Sequence, residues 1–153
     1  MKLFRMRRGD DRGANLVEFA MVMPFLLVLL IGIVEFSWTF ATNLDVKQGA
    51  REGARITAVN TPDGGNAALA AEICKRMDLV GNDTATTITW TSDGTPAVGE
   101  GVVVEVRTPH TTLTGFLDWA FGSITHLESE VEIRIEQTPD WSAATTGTTE
   151  NCP

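Results

Sequence analysis

The stretch Phe19-Ala-Met-Val-Met-Pro-Phe-Leu-Leu-Val-Leu-Leu-Ile-Gly-Ile-Val34 carries no charged residue. As a helix its 16 residues cover about 24 Å, a little short of the roughly 30 Å hydrocarbon core of a bilayer. Glu35 interrupts the run, but Phe36 to Leu44 extends it with only apolar and small polar side chains. Residues 19–44 therefore predict a membrane-spanning helix, with membrane lipid as its first partner. Trp38 and its flanking Phe residues suit a membrane–water boundary, where aromatic rings collect. Glu35 is expected near that outer boundary or against a partner helix. Pro24 removes a backbone donor inside the run and predicts a bend or loosening there.

Working outward, the residues before this run are basic. Lys2, Arg5, Arg7, Arg8 and Arg12 against Asp10 and Asp11 give the first 13 residues a net charge of +3. The remaining 140 hold seven basic and eighteen acidic residues, a net −11. A basic segment ahead of an apolar helix predicts a cytoplasmic amino end, with the acidic remainder across the membrane. An acidic body speaks against nucleic acid as a partner, since phosphates call for Lys and Arg. A cleaved secretory signal is a poor fit, because the nearest small-residue pattern, Thr39-Phe40-Ala41, is weak. Arg7-Arg8 is followed by Gly-Asp-Asp rather than by apolar residues. Two cysteines, Cys74 and Cys152, form an even pair, which in an exported domain predicts one disulfide tying down the carboxyl tail.

One carboxylate, Glu18, stands at the leader end of the apolar run, a costly place unless it is paired or functional. It is the fifth residue after Gly13, and Phe19 the sixth. Gly13-Ala-Asn-Leu-Val-Glu-Phe19 after a basic leader and directly before an apolar helix resembles the processing site of type IV prepilins in its tight-adherence (Tad/Flp) variant. The wider segment from Arg12 to Leu27, with the later block Gln48-Gly-Ala-Arg-Glu-Gly-Ala-Arg55, resembles the TadE-like family. The resemblance covers about residues 10–60. It implies cleavage by a prepilin peptidase between Gly13 and Ala14, and assembly through Glu18 and the new amino terminus at Ala14. It further implies other pilin-like subunits and Tad inner-membrane platform proteins as partners. Gly13, lacking a side chain, is expected to present an extended backbone to the peptidase. Glu18 is alternatively expected to favour the dipole of its own helix from the first turn. The different-class alternative is an unprocessed, single-pass anchored extracytoplasmic binding domain.

Past the membrane run the helix is expected to continue to about residue 60. Ala50, Ala54 and Ala58 recur every four residues, with Gly49 and Gly53 beside them. This small-residue face lets another element approach closely, either the chain's own domain or a neighbouring subunit. Arg51 and Arg55 are expected to pair with Glu52 and Asp45. Thr61-Pro-Asp-Gly-Gly65 breaks the helix. A second helix is predicted over about 67–79, with Leu69, Ile73, Met77 and Val80 as its apolar stripe. Strands are predicted at Thr86–Thr91, around Val102–Arg107 and around Glu130–Glu136, from alternating apolar and polar residues. Leu113–Phe121 predicts a short helix carrying Phe116, Leu117 and Trp119.

The fold class is therefore α+β: a long amino-terminal transmembrane helix, then a small pilin-like domain with a second helix and an antiparallel sheet of about three strands. The organisation divides into a leader at 1–13, the helix at 14–60, an outer domain at 61–137 and a Thr/Ser/Gly-rich tail at 138–153. That tail is expected to be poorly ordered except at Cys152. No catalytic residue and no cofactor is expected. His110 and His126 lack neighbours at metal-ligand spacing, so no metal site is expected either, and Glu128, Glu130, Glu132 and Glu136 read as a solvated acidic stripe.

Overall fold

The computed structural model describes residues 11–59, 63–122, 125–144 and 146–153. The leader residues Lys2, Arg5, Arg7 and Arg8 lie outside them, as do Thr61 and Pro62 of the expected helix breaker and the side chains of Arg12 and Leu117. A single helix, α1, runs from Asp11 to Val59, 49 residues and about 73 Å long. It stays helical through Pro24. From Gly13 to Val34 every residue is exposed except the half-buried Gly32. From Glu35 on, a buried face appears: Thr42, Asp45, Val46, Gly49, Ala50, Gly53, Ala54 and Thr57 recur at three- and four-residue steps.

That buried face meets the outer domain. The short helix α2 (Gly65–Cys74) is followed by strands β1 (Thr87–Thr91) and β2 (Gly101–Pro109), helix α3 (Phe116–Phe121), and strands β3 (His126–Arg134) and β4 (Thr148–Asn151). The four strands form one antiparallel sheet in the order β3-β2-β1-β4. Register places Trp90 opposite Val104 and Val104 opposite Val131, so one face is apolar and packs on α1. The other face is polar, with Glu105 opposite Glu130 and Arg107 opposite Glu128. The core gathers Val46, Ile56, Leu69, Ile73, Ile88, Trp90, Val102, Val104 and Val106. Trp90 is fully buried, and its Nε1 donates to Thr57 Oγ1 at 3.1 Å. The carboxyl end of α1 is closed from the sheet: Glu136 N and Gln137 N donate to the Ala58 carbonyl at 3.0 and 3.2 Å. This satisfies a carbonyl that the helix end leaves open.

Several boundaries differ from the sequence reading, each for a local reason. The sheet has four strands rather than about three, because the polar tail is recruited as β4. Its Thr and Glu side chains carry no apolar pattern; pairing with β1 is what orders it. The second helix ends at Cys74 instead of near 79, and in the turns that follow the amides of Asp78, Leu79 and Val80 are claimed by Asp45. Met77 and Val80 are nevertheless buried as the stripe requires. The third helix begins at Phe116 rather than Leu113, because Thr114 turns aside to bond Glu35.

Candidate anchoring and assembly site

The leader boundary is helical. Gly13 lies in the first turns of α1 rather than in extended chain, and a Cβ built there meets nothing within 4 Å. Ala14, Glu18 and Phe19 are all exposed. Among the described residues Glu18 makes no ion pair or hydrogen bond. It stands seven residues beyond Asp11, so it is not in the first turn of the helix as it stands, and the expected dipole role there does not apply. Cutting after Gly13 would bring it to the fifth position of a shorter helix.

Glu35, the one charge inside the extended apolar run, is fully buried. Its partner is neither solvent nor a second membrane helix. Thr114, 79 residues away, donates its backbone N–H at 3.1 Å and its hydroxyl at 2.8 Å to Glu35 Oε2. One turn further along α1, Thr39 Oγ1 lies 3.1 Å from the buried His110 Nε2. The segment after β2 is thereby stitched to α1 at two levels. A buried carboxylate is tolerated when its lone pairs are met in this way.

The small-residue face is occupied by the chain's own outer domain, with its glycines against the second helix and the turn after it. Gly49, Ala50, Gly53, Ala54 and Ala58 are all buried. A Cβ on Gly49 would come within 2.7 Å of Met77 Cγ, and one on Gly53 within 3.2 Å of Ile73. The glycines are needed because α2 and the turn after it sit directly on α1.

Asp45 was expected to pair with arginine, and the structure overturns this. Its carboxylate accepts the backbone N–H groups of Asp78, Leu79 and Val80 at 3.0, 2.9 and 3.1 Å. It acts as a clamp, holding the turn that leads from α2 to the sheet. Just ahead of that turn, Cys74 is disulfide-bonded to Cys152, with Cα atoms 5.8 Å apart. Cys152 N also donates to Thr86 O at 2.9 Å, so the tail is fixed by covalent and backbone contacts together.

The face of α1 turned away from the sheet is open. Leu44, Lys47, Gln48, Arg51, Glu52 and Arg55 line a shallow groove along it. Arg55 donates to Glu52 at 2.6 and 2.9 Å, and Arg76 of the turn after α2 reaches Glu52 at 3.6 Å. The hydrogen bond from Arg55 holds the Glu52 carboxyl below its ordinary value of 4.5. Arg76 and then Lys75 do the same for Glu72. Lys47 and Arg51 make no ion pair among the described residues, leaving a basic ridge.

Sequence reasoning expected Glu35 near the outer boundary or against a partner helix and did not find its seat. It misassigned Asp45 and passed over Thr114 and the Thr39–His110 contact. A charge inside an apolar run was the available signal; nothing local points to a partner 79 residues on.

Among the described residues one helix, α1, is long and apolar enough to cross a membrane, and its most apolar window is wholly unburied. It makes the chain a single-pass candidate, anchored through that helix. No curated protein and no solved structure matches the chain. Residues 13–55 match the family model of TadE-like proteins, a match that starts at Gly13 and ends at Arg55. Through this helix, from Gly13 to the end of the Arg-rich block, the chain is similar to TadE-like proteins.

Proposed function

We propose that this chain is a pilin-like component, a pseudopilin or minor pilin, of a Tad-type pilus assembly or secretion system, and that a prepilin peptidase cuts it after Gly13. The carrying observation is that the TadE-like match begins at Gly13, the residue where the basic leader ends. The exposed Ala14-to-Phe19 stretch supports it, since nothing among the described residues of the outer domain covers the bond to be cut. The peptidase must open a helical turn to reach that bond, and Gly is the residue that weakens a helix most after Pro. Cleavage leaves a new ammonium at Ala14 and a free carboxylate at Glu18. In a low-dielectric setting these opposite charges attract strongly, and one subunit's amino terminus can pair with a neighbour's Glu18.

The role is structural rather than catalytic. The leader lies in the cytoplasm and the acidic domain outside, as the charge asymmetry favours. Its partners are the peptidase, other pilin-like subunits and the Tad platform proteins of the inner membrane.

Intact-mass measurement of the membrane-extracted chain tests this reading. A mature chain beginning at Ala14 is expected, and Gly13→Leu should leave the leader attached. A native chain that retains its leader in cells with an active Tad peptidase would favour the unprocessed anchored binding domain instead.

A further inference from the structure

The segment between β2 and β3 descends along α1 into the level of its apolar run. His110 meets α1 at Thr39, Thr114 at Glu35, and a Cβ on Gly32 would lie 3.9 Å from the Phe116 ring. These three levels span seven residues of helix, about 10 Å. Counting about 20 residues from Phe19 for a 30 Å hydrocarbon core places the outer boundary near Trp38. Phe116 therefore sits roughly 9 Å below that boundary, six residues down the helix.

At this depth the segment is apolar on its free side. Trp119 is 82% exposed and Leu113 55% exposed, and the Phe116 and Trp119 rings lie 5.8 Å apart. On α1 itself Ile33, Val34 and Phe36 are exposed at the same level. Several of its polar groups bond within the segment. Thr112 donates to Asp118 at 2.8 Å, Trp119 N to Gly115 O at 3.1 Å and Gly122 N to Asp118 O at 3.1 Å. Bonds of this kind lower the cost of placing a short non-spanning element at a bilayer boundary.

We propose that Leu113, Phe116 and Trp119 insert into the acyl–headgroup boundary of the leaflet beside the outer domain. They form a second membrane contact that seats the domain flush on the lipid. The Glu35–Thr114 bonds are then the hinge pin that fixes the segment at this depth. An exposed Trp beside a spanning helix suits that boundary, where its ring is buried and its N–H stays wet. The inference rests on α1 spanning the membrane, and the test separates the two.

The full chain is reconstituted in phosphatidylcholine vesicles with or without brominated acyl chains, and tryptophan quenching is compared for wild type, Trp119→Phe and Trp38→Phe. Of the four tryptophans, Trp90 and Trp141 are buried in the outer domain. Trp38 and Trp119 should share the quenched emission, so Trp119→Phe is expected to remove roughly half of it. Quenching equal in wild type and Trp119→Phe, with the Trp38 share present, would overturn the proposal while leaving the anchor intact. That result would point to a protein-docking patch instead. Loss of both shares would overturn the membrane reading as well. Glu35→Ala should halve the Trp119 share without altering that of Trp38; an unchanged share would remove Glu35 from the mechanism.

Discussion

The two halves of α1 have the same backbone and opposite surroundings. Below Glu35 the helix carries large apolar side chains on every face, and no other described element covers them apart from the contact at Gly32. Above it, glycine and alanine line one face and a sheet and a second helix press against them. Among the described residues the lower half has no protein core to join, and its length and apolarity fit a membrane anchor. The upper half gives up side-chain bulk to gain close approach, and its stability comes from contacts far away in sequence. The same fold of helix thus serves as an anchor at one end and as a core element at the other, and substitutions in the two halves should act on different observables.

The largest expected effect is on the upper half. Replacing Cys74 and Cys152 together by Ser opens a loop with a sequence separation of 78 and should cost the outer domain about 4 kcal/mol. Chemical denaturation in detergent, followed through the buried Trp90, would measure it. A loss below about 1 kcal/mol would mean that β4 holds the tail by its backbone bonds alone.

Asp45→Ala comes next, leaving three amides without their acceptor, and is expected to cost about 3 kcal/mol. Asp45→Asn should recover part of that loss. If the two variants unfold alike, a negative charge rather than acceptor geometry is what the turn needs.

Glu35→Ala removes the pin at the junction of the halves. About 2 kcal/mol is expected, together with faster hydrogen exchange at the Thr114 amide. Unchanged exchange would show that the Thr39–His110 contact holds the segment by itself.

Gly49→Val should overpack against Met77 and destabilise the domain by about 2 kcal/mol. Glu18→Ala, in the lower half, should leave the same denaturation curve within about 0.5 kcal/mol. A large Glu18 effect on outer-domain stability would erase the distinction between the halves.

The smallest effect concerns pH. Glu52 and Glu72 are held below 4.5 in the folded state by their arginine and lysine partners. Groups with depressed folded values add stability above the unfolded value, and that contribution is lost as pH falls below 4.5 through the folded values. Both carboxylates are solvent-accessible, so the thermal midpoint should drop by only about 1–2 °C from this source, and less at high salt. A Glu52→Gln, Glu72→Gln variant that keeps the full acid sensitivity would assign it elsewhere.

Elements with a periodic apolar signal were readable before the fold. Val102, Val104 and Val106 mark β2, and the uncharged run marks the anchor, because burial on one face writes itself into spacing. The small face of α1 was readable as a packing surface, but which element fills it was not. β4 was not readable, because Thr148 to Asn151 has polar side chains and is ordered by the backbone of β1. Glu35 was visible as a charge interrupting an apolar run and Asp45 only as a partner for arginine, yet the groups they bond are 33 to 79 residues away. Hydrogen bonds to distant backbone amides leave no local pattern.

By itself the sequence determined the long apolar run, the charge asymmetry on either side of it and the TadE-like resemblance that starts at Gly13. These depend on local composition against two solvents, water and lipid, and composition is read directly. Only the tertiary structure decided that Glu35 is sealed by Thr114, that Asp45 clamps a turn, that the tail is a strand, and that Trp119 is carried beside the apolar helix. Each of those depends on groups brought together by the folded chain, whose meeting no single stretch of residues encodes.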